Sequence, residues 1–371
     1  MKKVGIVTTH RQANWGSVLQ CYALQEALDR LGFDAEVIDY FPEDVTLAGQ
    51  LKRLRKKSSK LKNPVIYVGA IAAFTISYIK RKIVFTNYIK KNLKLSSRVF
   101  YSASEINEKT APEDIYCCGG DQSLNGFMML DVFDNLKDDS VKVTYSSSFG
   151  KTSFTEKEWK HEVRSLKRFD KVSCREDSGI EIMKKMKISD PQWIIDPAFL
   201  LSRNDWAKVA SKKYKGQKYI MVYNLHHDKN IEAFEKKLSK KYGLPVINVC
   251  NHWFEFYRYG KVLWSPKVED FLSLIQNAEY VISDSFHATA FSIIFHTKFI
   301  SVVPETVGTR IKSVLNLFGL SERLIATGTA IRGQDEKKLM AELDCKAIDS
   351  VIARERKKAE VYIQSWNDIV K

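Results

Sequence analysis

The chain has 371 residues, 44% of them hydrophobic and 28% charged, which is typical of a folded globular protein and excludes collagen-like, low-complexity and globally disordered chains. Its length predicts two or three domains. The 59 Lys and Arg residues outnumber the 44 Asp and Glu residues, which gives a net charge of +15. The six cysteines include no Cys-x-x-Cys pair, which weighs against a structural zinc site and favours reduced thiols in a cytoplasmic core.

Almost the whole net charge lies in one segment. Residues 45–104 contain fourteen basic side chains and no acidic one, and their central stretch, Asn63–Ile79, is uncharged and mostly apolar. That stretch is marginal for a transmembrane helix, which needs about 20 apolar residues. Two interpretations remain open: the segment lies on an anionic membrane surface, or a solvated basic helix is followed by a buried core helix. Nucleic-acid binding is not supported, because no nucleic-acid-binding motif accompanies the charge.

Short apolar runs alternate with helical patterns along the chain. The N-terminal run is too short for the apolar part of a signal peptide and predicts a first strand. A helical pattern from Ser17 to Leu31 follows, and Gly32 is a typical helix stop. Because the strand-like runs are mostly continuous rather than alternating, we expect parallel sheets covered on both faces. The predicted strands are Lys3–Thr8, Ala35–Asp39, Asp114–Cys118, Lys142–Ser147, Lys171–Cys174, Tyr219–Tyr223, Pro245–Val249, Tyr280–Ser283 and Phe299–Val303.

A break near residues 196–202 separates two α/β halves. We therefore predict an N-terminal domain over residues 1–198, which carries residues 45–104 as a basic and apolar insertion, and a C-terminal domain over residues 199–330. Residues 331–371 are predicted to form a polar, helical tail.

Ligands of open α/β sheets bind at the carboxyl ends of the strands, so the residues that follow each strand are the candidates for a site. After the first strand, Asn14 is a plausible helix cap and Gly16 permits close backbone approach, although both also suit a plain turn. Asp121 and Gln122 follow two glycines, a pattern that suits either a hydroxyl-rich ligand or a capped turn. No Gly-x-Gly-x-x-Gly or Walker-type loop occurs, so a nicotinamide or ATP site has no support.

Two arginines and one histidine lie at further strand or helix ends. Arg175 follows a strand, where a guanidinium suits a carboxylate or phosphate ligand, or an ion pair within the protein. His287 falls in a first helical turn, with Asp284 one turn earlier to orient its imidazole for acid/base chemistry. Arg310 also lies near a helix start. Cys174 lacks a paired base and is predicted to pack in the core.

Taken in chain order, these motifs resemble those of the polysaccharide pyruvyl transferase family, from Val4 to about Ile325. The matching elements are Asn14-Trp15-Gly16-Ser17-Val18-Leu19-Gln20-Cys21-Tyr22-Ala23-Leu24, Gly119-Gly120-Asp121-Gln122, Ser146-Ser147-Ser148-Phe149-Gly150, Ser173-Cys174-Arg175-Glu176-Asp177-Ser178, Asp196-Pro197, Asp284-Ser285-Phe286-His287 and Arg310-Ile311.

The resemblance implies an α/β protein with two Rossmann-like domains in a GT-B-like arrangement and an active site in the cleft between them. It implies phosphoenolpyruvate as donor, a sugar of an exopolysaccharide or capsule, or of its lipid-diphosphate-linked precursor, as acceptor, and a pyruvate ketal and phosphate as products. Neither a cofactor nor a metal is expected. The expected catalytic residues are His287 and Asp284, and the expected substrate-binding residues are Arg175, Arg310, Asp121, Gln122, Asn14, Gly16 and Ser285.

Three departures from the family pattern concern the acceptor contacts. Gly120 stands in place of a usual serine, Ser123-Leu124-Asn125 in place of a common Val-Trp-Asn, and Ala288 in place of a glycine that often follows the histidine. We expect the Ala288 methyl to narrow a phosphate-facing turn.

Two other functions remain open. A sugar-nucleotide glycosyltransferase would use the same GT-B-like architecture, and a non-catalytic carbohydrate-assembly protein would need neither Arg175 nor His287. We expect a cytoplasmic protein, with residues 45–104 as the means of peripheral attachment to the anionic inner face of the cell membrane.

Overall fold

The first sheet has five parallel strands in the order β3-β2-β1-β4-β5. The protein is described by a computed structural model that covers residues 1–57, 63–109, 113–124, 127–303 and 308–370. A short pair, β6 and β7, continues the sheet through a bridge between Ser147 and Cys174. In this strand order a crevice opens between β1 and β4 at their carboxyl ends. The strands are β1 (Lys3–Val7), β2 (Asp34–Tyr40), β3 (Leu95–Phe100), β4 (Ile115–Gly119), β5 (Val141–Tyr145), β6 (Ser173–Cys174) and β7 (Gln192–Trp193).

The second sheet has six parallel strands in the order β10-β9-β8-β11-β12-β13. Its strand order reverses between β8 and β11, so each sheet provides a crevice of the same kind. The protein is therefore an α/β protein with two Rossmann-like sheets, as predicted. The strands are β8 (Ile220–Tyr223), β9 (Val246–Cys250), β10 (Lys261–Trp264), β11 (Tyr280–Ser283), β12 (Phe299–Val303) and β13 (Leu324–Ala326).

Helices connect the strands and cover both sheets. They are α1 (Trp15–Arg30), α2 (Leu47–Lys57), α3 (Pro64–Asn92), α4 (Ala103–Lys109), α5 (Phe127–Asn135), α6 (Glu156–Leu166), α7 (Asp177–Lys185), α8 (Arg203–Val209), α9 (Lys229–Tyr242), α10 (Val268–Gln276), α11 (Phe286–Phe295), α12 (Thr309–Leu317), α13 (Gly333–Met340) and α14 (Cys345–Gln364).

The two halves share a hydrophobic core. The Trp15 ring stacks on Phe271 at 5.0 Å between centroids and meets Tyr223 edge-on at 5.5 Å. Near the C-terminus, α14 returns to the first sheet, where the Tyr362 hydroxyl donates to the Thr144 carbonyl at 2.8 Å. Aromatic pairs add about 0.5–1.5 kcal/mol each beyond the area they bury. The two Trp15 contacts therefore stabilise the packing of the two halves against each other.

α3 bridges both halves. Its Ala73 carbonyl accepts a hydrogen bond from the Trp253 indole at 2.9 Å, and Lys80 donates to the Trp264 carbonyl at 2.7 Å. Arg81 donates to the Ala13 carbonyl at 3.0 Å. Among the described residues, no helix is both long enough and apolar enough to span a membrane.

All nine predicted strands are present, with ends that differ by one or two residues. Four strands were missed, namely β3, β7, β10 and β13. β3, β10 and β13 lie at sheet edges and β7 belongs to a two-stranded pair. β7 and β13 are only two and three residues long, and β3 and β10 carry polar side chains that obscure the pattern. β3 lies within the segment that the sequence predicted as an insertion. Cys174 is fully buried, as predicted.

Candidate active site

Side chains from both halves meet at the carboxyl ends of the central strands. Asp121 follows β4, Arg175 follows β6, and His287 lies in the first turn of α11 after β11. Arg310 lies in the first turn of α12 and approaches the Asp121 carboxylate to 3.7 Å. The structure therefore brings four of the predicted site residues together in the cleft.

The loop after β1 places α1 directly against His287. Asn14 is the N-cap of α1, as predicted, because its side-chain oxygen accepts from the N–H groups of Gly16 at 2.8 Å and Ser17 at 3.4 Å. A Cβ built on Gly16 would lie 2.0 Å from Nδ1 of His287. Any larger residue at this position would displace the imidazole.

Asp121 is a buried carboxylate that remains ionised. Its oxygens accept from the Ser17 hydroxyl at 2.5 Å and from Arg175 at 3.1 Å. Burial alone would raise its pKa, but the charges of Arg175 and Arg310, together with the Ser17 hydrogen bond, hold the pKa well below its usual range. Opposite charges within a few ångströms stabilise the charged form in this way.

Arg175 is bound between two carboxylates of the protein. Its side chain is 1% exposed, and it donates to Asp121 at 3.1 Å and to Asp196 at 2.6 Å. Its guanidinium carbon also lies 4.3 Å from the centre of the Phe286 ring. The sequence left open whether Arg175 binds a ligand or forms an ion pair within the protein. The structure shows the ion pair. Arg175 therefore orients the two carboxylates, and its buried Nε has no hydrogen-bond partner among the described residues.

His287 is buried, and its burial favours the neutral imidazole. Its Nε2 is buried without a hydrogen-bond partner among the described residues, and the nearest carboxylate oxygen is that of Asp196 at 3.9 Å. Burial lowers the pKa of His287 below 6.5; the charges of Asp196 and Asp121 oppose this effect and those of Arg175 and Arg310 add to it. A buried imidazole with a free nitrogen is suited to take up a proton.

The expectation that Asp284 orients His287 is wrong. The Asp284 carboxylate accepts from the backbone N–H groups of Leu225 at 2.7 Å and His226 at 2.8 Å, and from the His226 ring at 2.8 Å. The hydrogen bond to Asp284 raises the pKa of His226. The helical turn after Ser285 carries His287 away from this carboxylate, so Asp284 fixes the loop after β8 instead.

Arg310 is the accessible cation of the cleft. Its side chain is 17% exposed, and its contact with Asp121 at 3.7 Å is too long for a hydrogen bond. The buried Nε has no partner in the part of the chain that the structure describes. Burial lowers the pKa of Arg310, and the charge of Arg175 lowers it further. An anionic ligand would therefore stabilise the charged guanidinium.

Two further predicted residues line the same region. Gln122 lies against Gly150, where a Cβ would be 2.4 Å from its amide nitrogen, and its side chain is partly exposed. Ser285 is the N-cap of α11, and its hydroxyl accepts from the Ala288 N–H at 3.4 Å. Ser285 therefore orients the helix that carries His287.

The departures from the family pattern have structural consequences. A Cβ on Gly120 would lie 2.0 Å from the Gln20 side-chain oxygen, so a serine there would require Gln20 to move. The expectation that Ala288 narrows the site is wrong, because Ala288 is fully buried in the core. Leu124 is also fully buried, and Asn125 lies outside the described residues.

Sequence reasoning missed the roles of Asp196, Ser17 and His226. Asp196 was named only in a domain break and in a family motif, with no role of its own, although its carboxylate binds Arg175 and caps the turn at Ala198. His226 lies three residues beyond the end of β8 at Tyr223, and its place in the loop after a predicted strand was the available signal.

Outside the cleft, Asp131, Asp134 and His161 approach one another closely enough to share a cation. The Asp134 carboxylate, however, already accepts from Arg164 at 2.9 Å and from Ser165 at 2.8 Å. Ion pairing within the protein accounts for this cluster.

Comparison with known proteins gives one family match. Residues 14–305 match the sequence model of the family described as polysaccharide pyruvyl transferase. No curated protein shows a significant match.

Among solved structures, UDP-GlcNAc 2-epimerase from Methanocaldococcus jannaschii, in complex with UDP-GlcNAc and UDP, is 12% identical, with a TM-score of 0.50 over 99% of each chain. A putative UDP-N-acetylglucosamine 2-epimerase from Listeria monocytogenes is 10% identical, with a TM-score of 0.52 over 98% of this chain and 90% of that chain. At these identities the likeness shows the fold alone, a GT-B-like arrangement.

Proposed function

The chain belongs to the polysaccharide pyruvyl transferase family, and from that premise we propose that it transfers pyruvate from phosphoenolpyruvate to a sugar of a surface polysaccharide or of its lipid-linked precursor. The product is a ketal that bridges two sugar hydroxyls. The observation that carries the proposal is that the buried imidazole of His287, whose Nε2 has no hydrogen-bond partner among the described residues, lies in the same charged cluster as Arg310.

Arg310 is the proposed anchor for the donor. Phosphoenolpyruvate carries a carboxylate and a phosphate, and a guanidinium binds either group through two parallel hydrogen bonds. The free N–H groups at the start of α12 add to the positive potential around Arg310. Arg175 is assigned a positioning role, because it holds Asp121 and Asp196 beside the reacting groups.

His287 is the proposed acid and base. One sugar hydroxyl adds to the C2 atom of phosphoenolpyruvate as a proton is delivered to the methylene carbon, which becomes the methyl group. A second hydroxyl then displaces phosphate from the same carbon, and its proton leaves with the phosphate. His287 accepts the proton of the first hydroxyl, which balances the proton delivered to the methylene carbon, and it relays the proton of the second hydroxyl to the departing phosphate. The carboxylate of Asp196, 3.9 Å from Nε2, stabilises the imidazolium formed in between.

Gln122 and Asp121 are the proposed contacts for the acceptor sugar. The Gln122 amide is partly exposed beside the cluster, and it provides both a donor and an acceptor for hydroxyl groups. Each Asp121 oxygen already accepts one hydrogen bond and retains a lone pair for a sugar hydroxyl.

α3 supports contact with an anionic membrane surface. One face of the helix packs into the core through Phe85, Tyr88 and Ile89. The opposite face exposes Val68 (66%), Ile76 (49%), Ile79 (51%) and Ile83 (55%), a spacing that forms one stripe along a helix. Exposed basic side chains accompany this apolar stripe, among them Arg55, Lys56, Lys82 and Lys90. Such a combination is typical of helices that lie in a membrane interface.

A thermal-shift experiment with phosphoenolpyruvate and a panel of nucleotide-sugars tests the donor. A ligand at about 100 times its dissociation constant adds about 2.7 kcal/mol of stability. We expect phosphoenolpyruvate to stabilise the wild type and to lose this effect in Arg310→Gln but not in Lys312→Gln, an exposed control on the same helix. Stabilisation by a nucleotide-sugar alone would favour the glycosyltransferase instead.

A further inference from the structure

A cavity shares the loop after β1 with the candidate active site. It has a volume of about 310 Å³ and is bounded by the loop after β1, by α2 and α3, and by the end of β9. Its size falls within the range of small-molecule sites. Polar side chains form much of its lining, namely Gln12, Asn14, Gln50, Arg81 and Asn251.

Arg81 brings an uncompensated positive charge to this cavity. Its guanidinium donates to the Ala13 carbonyl at 3.0 Å, while its buried Nε has no partner within the described ranges. Among the residues that the structure describes, no carboxylate forms an ion pair with Arg81. Asp44 lines the same cavity but pairs with Arg53. Arg81 is partly buried, and Glu255, whose charge acts on it, is already paired with Arg258, so the cavity favours an anion.

The cavity and the candidate active site share the loop that carries Asn14. Asn14 lines the cavity and caps α1 through the Gly16 N–H, and Gly16 contacts His287. The α-carbons of Asn14 and Gly16 are at most about 7 Å apart. The loop that borders the cavity therefore also borders His287, so one phosphorylated sugar is a suitable occupant of both places.

We propose that Arg81 binds the phosphate or diphosphate of a phosphorylated acceptor and so places the attached sugar at His287. This inference rests on the proposed function, because it assigns the cavity to the acceptor of that reaction. A guanidinium matches the geometry of phosphate oxygens and keeps its charge at any relevant pH. The diphosphate could belong to a lipid carrier or to a nucleotide, and both present the same group to Arg81.

Calorimetric titration of the full-length protein with inorganic pyrophosphate, at saturating phosphoenolpyruvate, tests the site. We expect Arg81→Gln to weaken pyrophosphate binding about tenfold or more, since a charged hydrogen bond is lost. Arg53→Gln is the matched control, because this arginine lines the same cavity but is paired with Asp44. Arg310→Gln should weaken phosphoenolpyruvate binding and leave pyrophosphate binding intact.

Equal pyrophosphate affinity in the wild type and in Arg81→Gln would overturn the proposal. So would pyrophosphate binding that phosphoenolpyruvate displaces and that Arg310→Gln abolishes. Arg81→Lys, which keeps the charge but loses the planar fork, replaces the glutamine variant if that one does not fold, and it should show a smaller but measurable loss. If phosphoenolpyruvate fails to bind the wild type, the proposed function fails, while titration with pyrophosphate alone still tests Arg81.

Competition against pyrophosphate distinguishes the two sources of the diphosphate. A nucleoside diphosphate and a short prenyl diphosphate are each added to the wild type and to Arg81→Gln. Displacement by one of them, dependent on Arg81, identifies the carrier. Displacement by neither would show that the cavity does not hold the phosphate of an acceptor.

Discussion

The α-carbon of Gly16, at the start of the first helix, lies against the imidazole of His287, at the start of a helix in the second half of the protein. A Cβ at Gly16 would be 2.0 Å from Nδ1 and 2.3 Å from Cγ of the ring. Backbone from one Rossmann-like half thus fixes the side chain that we propose as acid and base in the other. The contact requires glycine, and it makes the ring position sensitive to the relative placement of the two halves.

Gly16→Ala should reduce turnover by about 100-fold, since displacing a catalytic group by about 1 Å has effects of that size. The added methyl group must push the imidazole away from its position. Steady-state kinetics measure the loss, and circular dichroism checks that the fold is kept. Gly69→Ala is the control: Gly69 lies within α3 with open space around it. That change should leave turnover intact and stabilise the helix by about 0.5–1 kcal/mol. Equal activity in both variants would show that the Gly16 contact is unimportant.

The acidic limb of the pH–rate profile should lie below pH 6.5, because burial lowers the pKa of His287 from 6.5. The base form is present above the lowered pKa, so kcat/KM should be constant near neutral pH and fall only at more acidic pH. The same sign applies to stability. An unfolded histidine binds a proton more readily than buried His287, so its contribution to the free energy of unfolding is present above pH 6.5 and is lost as the pH falls below that value.

Two aspartate variants assign the partner of His287. The negative charge of Asp196 raises the pKa of His287, so Asp196→Asn should move the acidic limb to still lower pH. Asp284→Asn should leave that limb in place, because its carboxylate binds His226. NMR titration of the histidine rings is the independent readout, and a lower His226 pKa in Asp284→Asn is expected. If only Asp284→Asn shifts the acidic limb, then Asp284 rather than Asp196 is the partner of His287, as the sequence predicted.

Removal of Arg175 should mainly lower the free energy of unfolding, whereas removal of Arg310 should mainly raise KM. Arg175→Ala leaves the buried carboxylates of Asp121 and Asp196 without their partner, which typically lowers the free energy of unfolding by about 3–5 kcal/mol. Arg310→Gln removes a guanidinium that has no hydrogen bond within the described ranges, so stability should change little while KM for phosphoenolpyruvate rises. Urea denaturation and steady-state kinetics on both variants separate the roles. A stable Arg175→Ala protein with only a raised KM would return Arg175 to the role of substrate anchor.

The sequence predicted the position of the site better than the contacts within it. Because parallel strands end at a common edge, residues such as Asp121 and His287 could be located from their place after a strand. The partner of Asp284 could not be predicted, because it depends on how closely the loop after β8 approaches the end of β11. Likewise, only packing between the halves shows that Gly16 meets His287 and that Arg175 is enclosed by carboxylates. The exposed stripe of α3 was also hidden, because its opposite face is equally apolar.

The α3 stripe predicts a specific form of membrane binding. Deletion of the whole basic segment would not test it, because Ala73, Lys80 and Arg81 hold other parts of the protein. The double change Ile76→Ser and Ile79→Ser alters only the exposed face, and it should reduce binding to vesicles that contain anionic phospholipid while leaving thermal stability unchanged.

A control variant on α14 and two lysine variants on α3 complete the test of membrane binding. Val361→Ser, at an exposed apolar position on α14 that is 59% accessible, should leave binding unchanged. Lys82→Gln and Lys90→Gln should each weaken binding by about 1 kcal/mol, and added salt should reduce that difference, since basic residues near an anionic surface contribute about this much. If the serine variant binds vesicles as well as the wild type does, or if neutral vesicles bind equally well, then α3 does not contact lipid and its exposed stripe has another cause.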